Sequence, residues 1–231
     1  MKYKKVVMGL SGGMDSATLL GMLLNERAAV HVCNFQYGSK QNDYERLVLL
    51  QLLEYYNHQY GWGVFLHSFD LRNTFHHIHS NLLKSGGPIP EGHYEEESMS
   101  VTVVPGRNLI FSSIMAGVAE SIGASEIALG VHSGDHAIYP DCRPEFIGTL
   151  RETVLASSEG KVTVIAPLLD LDKHDILKIG YALPTPVPYQ LTRTCYKDQP
   201  ISCGKCGSCV ERLEAFEKLG RKDPIKYINS K

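Results

Sequence analysis

A chain of 231 residues, 43% of them hydrophobic, can bury one α/β core and carry a small appendage. Its formal net charge of −2 provides no basic footprint and argues against a broad nucleic-acid surface. No apolar run reaches membrane-spanning length, and the Lys-rich start Met1-Lys2-Tyr3-Lys4-Lys5 leads into a strand rather than a cleavage site, so a cytoplasmic protein is expected. The first such strand is Val6-Val7-Met8-Gly9-Leu10, short, uncharged and β-branched at its start. Ser11-Gly12-Gly13-Met14-Asp15-Ser16 follows at once, and Ala17-Thr18-Leu19-Leu20 reads as a helix. A strand, a glycine turn and a helix N-terminus together hold a polyanion, because the backbone N–H groups and the positive dipole end converge on it.

The loop is neither a Walker loop nor a dinucleotide fingerprint, since Gly-x-x-x-x-Gly-Lys-Ser/Thr is absent and Gly9-x-x-Gly12-Gly13 does not fit Gly-x-Gly-x-x-Gly. It resembles the pyrophosphatase loop of the N-type ATP enzymes, which cleave ATP between the α and β phosphates. An ordinary capped strand–helix turn is the plainer alternative.

Residues 29–35 read as a second strand ending in the turn Gln36-Tyr37-Gly38, and 41–60 as a helix with Leu47, Leu50 and Glu54 at helical spacing. Residues 63–69 give a third strand, 70–83 a short helix, and 84–104 a loop. His76, His77 and His79 match no metal-ligand spacing, and Glu95 to Glu97 read as a solvated run. Val104-Pro105-Gly106-Arg107-Asn108 places a guanidinium at a second helix start, and Gly123 closes that helix. Residues 126–131 form a fourth strand opening into a reactive loop from His132 to Pro144, where Asp141 is a candidate cap for the helix over 145–156. Residues 162–166 are a fifth strand, and Asp172 caps a helix over 173–183. Strands alternating with helices predict a parallel five-stranded sheet with helices on both faces, its ligands at the strands' carboxyl ends. The domain boundary is expected between 1–190 and a module at 191–231.

Cys195, Cys203, Cys206 and Cys209 are spaced C-x7-C-x2-C-x2-C, with glycines at the turns, so four thiolates can converge on one Zn²⁺. An iron–sulfur cluster would use the same atoms. A secreted disulfide scaffold would spread its cysteines through a shorter chain, so a reducing compartment is expected. Cys33 reads as core, and Cys142 as packing or substrate contact.

Taken together, the glycine loop, Val104 to Asn108, Tyr139-Pro140-Asp141-Cys142-Arg143 and Thr194-Cys195-Tyr196 with the later cysteines resemble the 7-cyano-7-deazaguanine synthase family of the queuosine pathway. The resemblance implies an adenine nucleotide alpha hydrolase-like fold and a ligase joining 7-carboxy-7-deazaguanine and ammonia at the expense of ATP. It also implies one zinc on the four cysteines, a homodimer, and ATP contacts along Leu10, Ser11, Gly12, Gly13, Met14, Asp15, Ser16, Ala17, Thr18, Leu19 and Leu20, while the near-neutral charge leaves no nucleic-acid partner expected. From residue type and loop position, Asp15 is assigned to Mg²⁺ or phosphate, Arg107, Arg143 and Lys173 to charge stabilisation, and Asp141 to the guanine-like edge. Two stretches depart from the family. Ser39-Lys40-Gln41 stands where Gln-Arg-His is common, and Ser133 to Ile138 where Glu-Thr-Asp-Phe-Ser-Gly is common. These changes leave the acceptor open, a different protein or nucleic-acid acceptor and a tRNA-base-adenylating enzyme being the alternatives.

Overall fold

The computed structural model describes residues 4–61, 63–93 and 97–228. Five strands, β1 (Lys5–Gly9), β2 (Ala29–Gln36), β3 (Val64–Asp70), β4 (Glu126–Ala128) and β5 (Thr163–Ile165), form one sheet in the order β3-β2-β1-β4-β5. All four pairings are parallel. The central strand β1 reads as an apolar run because both its faces are covered, whereas the edge strand β3 mixes in polar residues and leaves Phe65 and Leu66 50% and 41% exposed. Helices α4 (Arg107–Ile122) and α5 (Pro144–Ser157) cover one face, packing Met115, Ile147 and Leu150 over Val7, Ile127 and Val164. On the opposite face α1 (Met14–Asn25), α2 (Asn42–Tyr60), α6 (Lys173–Ala182) and α7 (Gly207–Lys218) bury Leu20, Leu52, Ile176 and Phe216 over Val6, Met8 and Val32. The strand order reverses beside β1, so the loops after β1 and β4 part and open a crevice at their carboxyl ends.

The expected fold class and strand count hold, with four local differences. Residues 70–83 contain only the single turn α3 (Arg72–Phe75), and Glu97–Thr102 in the following loop winds into a 3-10 turn. In α2 the face toward the sheet is Leu49, Leu52, Leu53 and Tyr56, whereas Leu47 and Leu50 are 60% and 45% exposed. Asp141 does not cap α5, whose N-cap is Arg143 with Pro144 in the first turn; its carboxylate accepts from the Asn108 N–H at 2.9 Å and so caps α4. Asp172 caps α6 as expected, accepting from the Asp175 N–H at 2.8 Å, and Gly123 closes α4 at φ 66°. The expectations for Met1 to Tyr3 and for Glu95 and Glu96 lie outside the described residues, as does the Glu97 side chain. Among the described residues no helix is long and apolar enough to cross a membrane.

The C-terminal segment packs into the body of the fold. The four clustered cysteines join the core beneath α4 and α5, and Ala215 and Phe216 of α7 join the core on the other side. The Arg193 N–H donates to the Gly12 carbonyl at 2.9 Å, tying the segment before the cysteines to the glycine loop.

Candidate active site

A cavity of about 230 Å³ opens at the carboxyl ends of β1 and β4. It is the kind of crevice where an open parallel sheet takes its ligand. Its floor is the turn between β1 and α1. Gly12 holds φ +84°, and a Cβ there would stand 2.8 Å from Val48 Cγ1, so glycine is required both by the turn and by the close approach of α2. Gly13 is the N-cap of α1 and offers no side-chain cap, which leaves the first N–H groups of the helix free to meet an anion. The loop organises itself around two hydroxyls. Ser11 Oγ accepts from the Gly13 N–H at 3.2 Å, and Ser16 Oγ donates to the Gly13 carbonyl at 3.1 Å.

Leu10, Ser11, Gly13, Asp15 and Ser16 line the cavity. Met14, Ala17, Leu19 and Leu20 are wholly buried in the core, and the Thr18 hydroxyl is occupied by the Met14 carbonyl and Tyr189. Of the other sequence candidates, Arg107 and Lys173 reach the cavity. Arg107 opens α4, with its guanidinium 5.9 Å from the centre of the Tyr139 ring. Asp141 and Arg143 stay outside the lining. Arg143 is exposed and donates to the carbonyls of His136 and Ala137, so it braces the loop before α5. Cys142 does line the cavity; burial pushes its thiol up, which keeps it protonated, and Asn108 Nδ2 donates to its sulfur at 3.3 Å. Cys33 is core. His76, His77 and His79 are exposed on the surface.

Against Asp15 the fold assembles a group of charges that sequence spacing does not bring together. Lys173, the first residue of α6, places Nζ 3.2 Å from Asp15 Oδ2 and 2.8 Å from Glu211 Oε2. Burial disfavours the Lys173 ammonium, but Asp15, Glu211 and Asp135 outweigh it and hold the group firmly protonated. Burial pushes Glu211 up from the ordinary carboxylate range, partly countered by Lys173 and His132. His132 Nδ1 accepts from the Gly134 N–H at 3.1 Å, so Nε2 carries the proton and faces Asp15, Asp135 and Glu211 at 3.8, 3.6 and 4.0 Å. Asp15 Oδ1 is buried without a hydrogen-bond partner.

A second polar wall lies on α2. Glu45 and Gln41 line the same cavity as Arg107 and Arg193. Gln41 Nε2 and Asn42 Nδ2 donate to the two oxygens of Glu45 at 3.4 and 3.2 Å. Burial is the main influence on Glu45 and raises its carboxyl to about 7, against hydrogen bonds from Gln41 and Asn42 and the charges of Arg107 and Arg193. Sequence reasoning missed Glu45, His132 and Glu211 as site residues, whereas Gln41 stood in a stretch that departs from the family pattern. His132 stood in the loop singled out for its reactive side chains. Glu211 follows Cys209 by two residues, and only the docking of α7 turns it inward.

The four cysteines form a compact, buried cluster whose sulfurs all lie within 4.8 Å of one another. The Cys203 and Cys209 sulfurs are 3.9 Å apart, close to the roughly 3.8 Å that tetrahedral zinc–sulfur bonds require. Backbone N–H groups of Cys203, Lys205 and Cys206 point at the sulfurs of Cys195 and Cys203. Hydrogen bonds from the Cys195, Cys206 and Cys209 thiols, with the Lys205 N–H, hold Cys203 well below the ordinary thiol range, while contacts with Cys195 and Cys203 push Cys206 and Cys209 up. Such a donor set fits a thiolate-bound metal such as zinc.

Comparison with known proteins found a family model, "Queuosine biosynthesis protein QueC", that matches residues 5–220. A 7-cyano-7-deazaguanine synthase from Pseudoalteromonas atlantica is 43% identical over 97% of this chain and 99% of its own. Synthases of the same name from Caldicellulosiruptor saccharolyticus and Porphyromonas gingivalis are 42% and 41% identical. They cover 96% and 98% of this chain and 95% and 98% of their own lengths.

Proposed function

The chain belongs to the queuosine biosynthesis protein QueC family, and from that premise we propose that it is an ATP-dependent ligase converting 7-carboxy-7-deazaguanine and ammonia to 7-cyano-7-deazaguanine. The observation that carries this reading is a single cavity joining the glycine loop to the Arg107 guanidinium and the Lys173 ammonium, beside a buried carboxylate wall. A carboxylate resists attack by ammonia because its leaving group would be oxide. Transfer of AMP from ATP replaces that group, and ammonia then displaces AMP to give the amide. A second adenylation, on the amide oxygen, lets AMP leave again as the carbon–nitrogen triple bond forms.

Both adenylations expel pyrophosphate, and the groups that would hold it are the α1 N-terminal N–H groups with the hydroxyls of Ser11 and Ser16. Arg107, at the N-terminus of α4, stabilises charge on the reacting phosphate from across the cavity. Lys173 fixes Asp15 and offsets the carboxylates around it. The unpartnered Asp15 Oδ1 is the natural place for Mg²⁺, which when bound supplies charge neutralisation to pyrophosphate. Asp141 and Arg143 act from outside the cavity by bracing the α4 and α5 starts. Cys195, Cys203, Cys206 and Cys209 would hold Zn²⁺ in a closed, structural site. A cytoplasmic homodimer without nucleic acid, with the zinc module beginning near residue 191, completes the reading.

Incubation with ATP, ammonium and 7-carboxy-7-deazaguanine, followed by product mass, tests it. The nitrile is the expected product, and its absence with unchanged substrate overturns the assignment. Asp15→Asn is expected to abolish pyrophosphate release, and wild-type release by that variant would remove Asp15 from the chemistry.

A further inference from the structure

The α2 wall has a chemistry that adenylation does not use. Gln41 is only 6% exposed, yet it lines the cavity with its Oε1 unpartnered. Its Nε2 is committed to Glu45. Glu45 is 9% exposed, and its carboxyl is locked in place through Asn42. Asn42 Oδ1 gathers the N–H groups of Tyr37, Gly38 and Ser39 at 3.1, 2.9 and 2.9 Å, and its Nδ2 also reaches the Phe35 carbonyl. What this wall offers beside the cavity is therefore an unpartnered amide oxygen and a carboxylate, both acceptors. A ligand seated there must bring N–H donors.

We propose that Glu45 is the base that takes a proton from ammonium beside the acyl adenylate, with Gln41 Oε1 holding the ammonium in place. The inference rests on the ligase reading above. It names the group that supplies the nucleophile, since ammonium has no lone pair and must lose a proton before it can attack. In the step, one N–H bond of ammonium breaks and its proton passes to a Glu45 oxygen. The freed lone pair forms the carbon–nitrogen bond, and the acyl carbon–oxygen bond breaks with its electron pair leaving on AMP. The second proton, now on cationic nitrogen, passes to the departing phosphate.

The other groups on the cavity are unsuited to this task. Lys173 and the guanidinium groups of Arg107 and Arg193 are already protonated cations. The Cys142 thiol and the Tyr37 hydroxyl are held neutral by burial. Asp15 is paired through Oδ2 with Lys173 and His132, its Oδ1 is the place for Mg²⁺, and Asp135 stands against His132 Nε2 at 3.6 Å. The groups facing Glu45 are Arg107 from α4, Arg193 from the segment before the cysteines, Tyr37 from the loop after β2, and Gln41 and Asn42 at the start of its own helix. In that setting its carboxyl sits near 7, the range in which a base can both take and release a proton at neutral pH.

The test compares two nucleophiles on Glu45→Gln, with Glu45→Asp as the conservative variant. Ammonium requires deprotonation, whereas hydroxylamine is already unprotonated at neutral pH and traps the acyl adenylate as a hydroxamate. Glu45→Gln is expected to lose ~100-fold or more in amide formation from ammonium, to keep hydroxamate formation, and Glu45→Asp to recover part of the loss. Equal loss with both nucleophiles would make Glu45 a structural residue, and no loss with either would make it a bystander; both results overturn the proposal. Wild-type protein that forms neither hydroxamate nor pyrophosphate would instead refute the ligase reading itself.

Discussion

Glu45 also leaves a mark on stability that can be read without substrate. In the fold burial raises its carboxyl from the ordinary 4.5 to about 7. Between those values the folded chain keeps a proton that the unfolded chain has released. Stability therefore falls as pH rises through this window, and is flat with respect to this group below pH 4.5 and above pH 7. A span of roughly 2.5 pH units at ~1.36 kcal/mol each gives about 3 kcal/mol lost across it. Glu45→Gln has no proton to lose. Any constant penalty from altered hydrogen bonding to Gln41 or Asn42 shifts both ends of its curve equally and cancels in the difference. Urea unfolding at pH 4.5, 5.5, 6.5 and 7.5 should therefore show the variant gaining about 3 kcal/mol on the wild type from the acid end to the neutral end. Parallel curves would refute the reasoning, because they would mean that Glu45 titrates alike in the folded and unfolded chains.

Two further perturbations probe the opposite wall and the tail. Lys173→Met removes the ammonium that bridges Asp15 and Glu211 at 3.2 and 2.8 Å, leaving two buried carboxylates beside Asp135. It should cost ~3–5 kcal/mol in urea unfolding, with partial recovery on adding Glu211→Gln; a loss indistinguishable from zero would show the pair to be solvated. Cys206→Ser, or chelation of the wild type, should empty the thiolate site and raise amide exchange across Gly207–Lys218. Unchanged protection in metal-free protein, verified by elemental analysis, would make the cluster dispensable for holding α7.

The parts legible in the sequence are those whose chemistry is local. The β-branched run, the glycine turn and the Asp172 cap decide their own conformation within a few residues, and the structure forms β1, α1 and α6 where they predict. The face of α2 was not legible in the same way. Leu47, Leu50, Leu49, Leu52 and Leu53 offer two overlapping apolar stripes, and only docking onto the sheet core selects the second. Asp141 shows a similar limit. An aspartate three residues before Pro144 looks like a cap for α5, but the fold brings the start of α4 beside it, and the Asn108 N–H takes the carboxylate. Glu45 and Gln41 sit in the first turn and N-cap of α2, positions where polar residues are ordinary. What sets them apart is the cavity they share with Arg107 and Arg193, which arrive from elsewhere in the chain.

The tail reads as an appendage in sequence and lines the candidate active-site cavity in the fold, through Arg193, Thr194, Tyr196 and Ser208. Cys206 is the N-cap of α7 and Cys209 lies in its first turn, so a metal on the four thiolates would fix where that helix begins. Glu211 follows on the same helix and meets Lys173. Its neighbour Arg212 is fully buried, paired with both oxygens of Asp223 at 2.7 and 2.9 Å, and donates to Thr192 and the Tyr189 carbonyl. A buried ion pair of this kind adds little net stability over well-packed apolar groups. What it supplies here is position: α7 is pinned at Cys209 by the cysteine cluster and at Arg212 by Asp223, with Glu211 held between them against Asp15. The Arg193 N–H closes the arrangement on the Gly12 carbonyl. A metal on those four thiolates would hold the Glu211–Lys173 pair in place through α7, and loosening the cluster should reach Asp15 through that pair before it reaches the sheet.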